Sequence, residues 1–128
     1  MPYATAIVTC LALLLYGALI TQVSRARIKY SIHAPATSGH PSFERALRIQ
    51  INTGEQLLLF LPSLWMFATL VSPAWAALLG LLWIAGRILY AMSYAADPTR
   101  RAPGFAIAGL ATGILLLGSL LAGLIGLL

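Results

Sequence analysis

Long uncharged runs broken by short polar stretches set the pattern of the chain. Residues 3–23 carry no charged side chain and read as a first membrane-crossing helix. Residues 24–42 hold Arg25, Arg27, Lys29, His33, His40, two prolines and a glycine, and read as a polar loop. Residues 57–86 are again uncharged, a run too long for one span. Ser72-Pro73 divides it, because proline fits the first turn of a helix, where its missing N–H has no partner to lose. A third helix over 73–96, a turn over 97–104 and a fourth helix over about 104–128 complete the pattern.

The second span is the informative one. Residues 57–71 make roughly 22 Å of helix at about 1.5 Å per residue, against a hydrocarbon thickness of about 30 Å. The helix must therefore begin near residue 43. That draws Asn52 and Glu55 into the bilayer and sets Arg48 near its edge. Pro62 falls inside this helix, which packed neighbouring helices tolerate. The expected fold is all-α: an integral membrane protein whose single domain, 1–128, is a bundle of four transmembrane helices over about 3–23, 43–71, 73–96 and 104–128.

Composition narrows the class. Hydrophobic residues make up 60% of the 128 residues and charged ones 9%, against roughly 25% charged in soluble domains. So few charges cannot cover a water-facing surface, which excludes a soluble enzyme, a disulfide scaffold and a disordered tail. The net charge is +5, but its placement says more than its sum. All eight Lys and Arg lie between residues 25 and 48 or between 87 and 101. Aromatic residues do not interleave with them as a nucleic-acid reader requires, so no nucleic-acid partner is expected. By the positive-inside rule the loops after the first and third helices face the cytoplasm, with both termini on the opposite side. The first apolar run lacks a basic lead-in and a small-residue cleavage pattern, and is expected to stay as a helix. The lone cysteine, Cys10, reads as a small buried hydrophobe. Gly109 and Gly113 form a GxxxG, expected to let helices of the same chain approach closely.

At about 100° per residue, Glu44, Arg45, Arg48, Asn52 and Glu55 fall within an arc of about 100°, while Gln50 points away. Arg87, Tyr90 and Tyr94 share a face of the third helix by i, i+3, i+7 spacing, and Asp97 extends it. Snorkelling to the interface accounts for charges near helix ends. It does not account for Arg87, roughly 21 Å along its helix from Pro73. Ionisable residues at such depth mark functional sites. Arginines bind carboxylates, a buried Glu holds an ammonium, and Tyr and Asn supply oriented hydrogen bonds. The complement is a small zwitterion with more negative than positive charge. No metal cluster is expected: His33 and His40 lie in a loop with no Cys or carboxylate nearby.

The run Glu44-Arg45-x-x-Arg48-x-Gln50-x-Asn52-x-x-Glu55, followed by Arg87-x-x-Tyr90-x-x-x-Tyr94, resembles the helix-two and helix-three signatures of the MAPEG family, the membrane-associated proteins in eicosanoid and glutathione metabolism. The resemblance covers essentially the whole chain and is closest to bacterial members, which implies the inner membrane. It implies a homotrimer binding glutathione, as co-substrate, between neighbouring subunits near the cytoplasmic face. The residues it assigns to glutathione are Arg48, Asn52, Glu55, Arg87, Tyr90 and Tyr94, with Arg27 as the nearest match to a basic residue of helix one and Gln50 as the signature glutamine. It assigns thiolate stabilisation to Arg101. Gln56 stands where the synthases often carry tyrosine.

The expected function is that of a glutathione-dependent membrane transferase or peroxidase. A free thiol ionises near pH 8.5, and a nearby guanidinium favours the anion. The thiolate then attacks a lipophilic electrophile or hydroperoxide arriving through the membrane lipid. Because the nucleophile belongs to glutathione, no reactive cysteine is needed. The alternative is a non-catalytic lipid- or glutathione-binding protein of the same fold. A small multidrug exporter is disfavoured, because the first helix has no Asp or Glu.

Overall fold

A computed structural model describes residues 2–128. In chain order these form α1 (Tyr3–Tyr30), α2 (Pro41–Leu70), α3 (Pro73–Ala96), a single 3-10 turn (Pro98–Arg100) and α4 (Ala102–Gly126). Two of the helix starts are built alike. His40 Nδ1 accepts from the Ser42 N–H at 3.1 Å ahead of Pro41, and Ser72 Oγ accepts from the Trp75 N–H at 3.2 Å ahead of Pro73. Each side chain satisfies one of the donors that a helix start leaves free.

The helices run up and down, so the α1–α2 and α3–α4 connections share one end of the bundle. There Arg45 Nη1 on α2 donates to the Ala95 carbonyl of α3 at 3.2 Å. α1, α3 and α4 (the last with its preceding turn) are long and apolar enough to cross a membrane. α2 is as long, but the polar residues of its first half set it apart from the other three.

α1 continues past residue 23, where a polar loop was expected, to Tyr30. The change from apolar to basic marks a change of solvent, not the end of a helix. Arg and Lys are good helix formers, and cations near a C-terminus suit the helix dipole. The helix ends at Ser31 in left-handed conformation, φ 53°. The loop then folds back on it: Arg27 Nη1 donates to the Ala36 carbonyl at 2.8 Å, and Tyr30 stacks on His40 at 3.7 Å.

Packing runs in layers along the bundle. The largest joins Val8 and Ala12 of α1, Phe60 and Leu64 of α2, Trp83 of α3 and Ala108, Ala111 and Leu115 of α4, with Phe60 and Trp83 stacked at 4.1 Å. A second layer of Leu19, Ile49 and Tyr90 lies nearer the basic end, and a third joins Val23, Ile32 and Phe43. Cys10 is exposed, and so belongs to the outer face of α1 and not to its core.

The close approach of α3 and α4 does not use the GxxxG. Among the described residues, and apart from its own stretch of helix backbone, nothing lies within 4 Å of a Cβ built at Gly109 or Gly113. The tight crossing is at Gly86 and Gly104. A Cβ on Gly86 would meet the Ala108 nitrogen at 2.8 Å, and one on Gly104 would collide with the Tyr90 nitrogen. Small residues let membrane helices touch through backbone; here the touching pair is one on each helix, not two along one.

Candidate functional site

A cleft of about 590 Å³ opens at the basic end of the bundle. Its walls are Arg48 and Asn52 from α2, Tyr90 and Tyr94 from α3, and Arg101, Ala102, Phe105 and Ala106 at the start of α4. Its volume lies within the range of about 300–1,000 Å³ usual for small-molecule sites. Helical spacing explains the first two walls: 48 and 52, and 90 and 94, are each one turn apart on a single face. The third wall exists because the Gly86–Gly104 crossing brings the first turn of α4 against Tyr90.

Arg87 is fully buried and does not line the cleft. It sits behind it. Its Nη2 donates to Asn52 Oδ1 at 2.7 Å and to Thr53 Oγ1 at 2.8 Å, and its guanidinium lies 4.1 Å from the centroid of the Tyr90 ring. Arg87 Nε and Nη1 have no hydrogen-bond partner among the described residues. The side chain therefore braces two lining residues, Asn52 by a hydrogen bond and Tyr90 by a cation–π contact. Tyr90 and Tyr94 in turn pack at 5.6 Å, and Tyr90 meets Phe105 at 6.3 Å.

Five of the nine residues expected at the site thus meet in one cleft: Arg48, Asn52, Tyr90, Tyr94 and Arg101. The others lie elsewhere within this chain. Glu55 comes within 4.0 Å of Arg48, a loose pair with side chains 55% and 58% exposed. It lines an adjoining groove with Tyr16, Gln50 and Gly54. Gln50 Nε2 donates to the Tyr16 hydroxyl at 2.9 Å, on the α1 side of α2. Arg27 is engaged with the Ala36 carbonyl and lies 4.8 Å over the Phe43 ring. Sequence reading missed Thr53 and Phe105. Thr53 carried a usable signal, a polar residue on the α2 face that also holds Ile49 and Phe60, whereas Phe105 is indistinguishable from any other apolar residue of α4.

The turn carrying Arg101 is held by local hydrogen bonds. Asp97 Oδ1 accepts from the Thr99 N–H at 3.0 Å and from the Thr99 hydroxyl at 2.8 Å, and Arg100 Nε lies 3.8 Å from Asp97 Oδ2. The Thr99 hydrogen bonds, with the charges of Arg100 and Arg45, hold the Asp97 carboxyl below its ordinary value.

Chemically the cleft offers two guanidiniums, two phenols and a carboxamide, and among the described residues no carboxylate lines it. The N-terminal end of α4 adds its positive dipole to the same wall. Fold and site together define a helical membrane protein with a cationic cleft suited to a small anionic ligand.

The chain belongs to the MAPEG family, whose model matches residues 3–121. It is 50% identical over 116 residues to an uncharacterized protein of Synechocystis sp., covering 91% of this chain and 85% of that one. It is 39% identical over 100 residues to microsomal glutathione S-transferase 2 of Homo sapiens, covering 77% of this chain and 68% of that protein. Leukotriene C4 synthase of Rattus norvegicus is 38% identical over 96 residues, which cover 75% of this chain and 64% of the synthase.

Proposed function

We propose that the protein is a glutathione-dependent membrane transferase or peroxidase, and that the 590 Å³ cleft receives glutathione. The observation that carries this reading is the meeting of Arg48, Asn52, Tyr90, Tyr94 and Arg101 around one cavity. Glutathione has two carboxylates, one ammonium and a thiol. Arg48 pairs with a carboxylate, Asn52 and the tyrosines fix the peptide by hydrogen bonds, and Glu55, next to Arg48, takes the ammonium. Arg101 stands at the α4 wall and holds the thiol as thiolate. With an electrophile, the sulfur forms a bond to carbon as the leaving group departs or the ring opens. With a hydroperoxide, it takes the terminal oxygen and releases the alcohol, and a second glutathione then yields disulfide and water.

The same reading includes a homotrimer in the bacterial inner membrane, with α2 as the fourth span, the two basic loops in the cytoplasm and the termini opposite. The half-exposed Arg48 and Glu55 support it, because charged groups in or near hydrocarbon need protein or ligand cover. Arg27 and Gln50, which this chain turns away from its own cleft, would then serve the cleft of a neighbouring copy.

The test is Arg101→Ala in the purified protein, comparing glutathione binding, conjugation rate and the pH dependence of thiolate absorbance. Conjugation should fall far more than binding, and the bound thiol should titrate higher; each pH unit is about 1.4 kcal/mol. Identical titration and turnover would return Arg101 to the role of a topology anchor. Binding without turnover in the wild type would support a non-catalytic binding protein instead.

A further inference from the structure

We propose that Arg45 is a positioning residue for Arg101: by strapping the start of α2 to the end of α3, it fixes the turn that holds Arg101 at the mouth of the cleft. This rests on the glutathione reading above for its chemical consequence, though not for the strap itself.

The strap is the hydrogen bond from Arg45 Nη1 to the Ala95 carbonyl, 3.2 Å, between residues 50 apart in the chain. The last carbonyls of a helix have no partner inside it, and a cation there also suits the helix dipole. Ala95 offers one of these free carbonyls on the exposed surface, and Arg45 supplies a side-chain donor to it. Among the described residues, the other side-chain hydrogen bonds between α2 and α3 are donated by Arg87 of α3 to Asn52 and Thr53 of α2, deeper in the bundle. Arg45 is therefore the one such tie at the cleft mouth.

From Ala95 the restraint passes along a short stiff path. The Asp97 N–H closes the helix on the Ser93 carbonyl at 2.8 Å. Asp97 Oδ1 then takes both Thr99 donors, and the Arg100 N–H bonds the Asp97 carbonyl at 2.9 Å. Arg101 follows at once as the residue that precedes the first turn of α4. On the other side, Arg45 shares its helix face with Arg48 and Asn52, at i, i+3 and i+7. Arg45 lines no part of the cleft itself. It ties the helix bearing Arg48, one turn away, to the end of α3 that leads into Arg101.

A side chain that merely caps α3 and one that sets the reach of Arg101 differ in what their removal does to the thiol. The experiment compares wild type, Arg45→Met and Arg45→Lys, all full length in detergent or nanodiscs. Arg45→Met keeps an apolar stem and loses the donor; Arg45→Lys keeps a donor and the charge. Displacing a catalytic group by about 1 Å costs on the order of a hundredfold in rate. Arg45→Met should therefore lose ten- to a hundredfold of kcat, by that same estimate of about 1 Å, with glutathione affinity nearly kept. Its bound thiol should titrate higher than in wild type, and Arg45→Lys should recover much of both.

Amide hydrogen exchange over residues 97–105 gives the second readout. It should quicken in Arg45→Met while exchange in α1 stays as in wild type. Unchanged exchange over 97–105 overturns the strap. Quickened exchange with unchanged thiol titration and kcat overturns its link to Arg101. If wild type itself shows no thiolate and no turnover, the glutathione reading fails, and the exchange data alone decide for or against the strap.

Discussion

Replacing Gly104 by alanine tests how the cleft is assembled. A Cβ at this position would lie 2.7 Å from the Gly86 carbonyl oxygen and 2.7 Å from Tyr90 Cα, about 0.7 Å short of the 3.4 Å at which ordinary contact begins, and it would collide with the Tyr90 nitrogen. All three obstacles are backbone, so no side chain can rotate away. The helices must part, by something near 1 Å. Overpacking of this kind destabilises by about 1–3 kcal/mol. The part that moves is the first turn of α4, with Arg101, Ala102, Phe105 and Ala106. A shift of about 1 Å between reacting groups lowers rate by on the order of a hundredfold. Gly104→Ala should therefore melt earlier in detergent and conjugate far more slowly. Gly109→Ala, on the same helix with no described residue beyond its own helix backbone within 4 Å, should melt no earlier, and by helix propensity gains up to about 1 kcal/mol. If Gly104→Ala melts with wild type, or if Gly109→Ala falls by as much, the crossing is not what positions the α4 wall.

Other expectations follow from the same geometry. Arg87→Met leaves Asn52 Oδ1 and Thr53 Oγ1 without their donor, at about 1–3 kcal/mol for the buried Thr53 and less for the part-buried Asn52, partly offset by relief of a buried charge. Glutathione affinity measured by calorimetry should fall about tenfold for each 1.4 kcal/mol lost at Asn52, and an unchanged Kd means Asn52 needs no brace. The Asp97 carboxyl is held below its ordinary value of 3.8, so the order it gives the turn is complete above that value and is lost as pH falls through the lower folded one. The Thr99 amide resonance should thus hold steady on acidification until below the ordinary Asp range; a transition above 3.8 contradicts the assignment. Reporters fused at Ser38 and Thr99 should both report cytoplasm, and cross-linking in mild detergent should stop at three chains. An active periplasmic reporter at Ser38 reverses the orientation, and a monomer that binds glutathione removes the need for a neighbour.

Several features of this protein follow from local sequence alone. Uncharged length defines α1, α3 and α4 as spans, and Pro73 sets the start of α3, because span length and the proline ring act without reference to any partner. Helical periodicity puts Arg48 with Asn52, and Tyr90 with Tyr94, on shared faces, since the angle between residues about one helix axis is fixed by the backbone. What periodicity leaves open is which other helix that face meets, and how deep. So Arg87, on the same stripe as Tyr90, turned out to brace the cleft from behind, and only the α2–α3 contact with Asn52 and Thr53 decided it. The basic residues after 23 marked the edge of the apolar solvent, but hydrogen bonding carried α1 on to Tyr30. The α3–α4 crossing fell to Gly86 and Gly104 and not to Gly109 and Gly113, although each of the four is a small residue in an apolar helix. In water, an apolar stripe points to the core. In a membrane, leucine is as well solvated by lipid as by protein, so hydrophobicity no longer separates inside from outside, and only the packed backbone chooses between them.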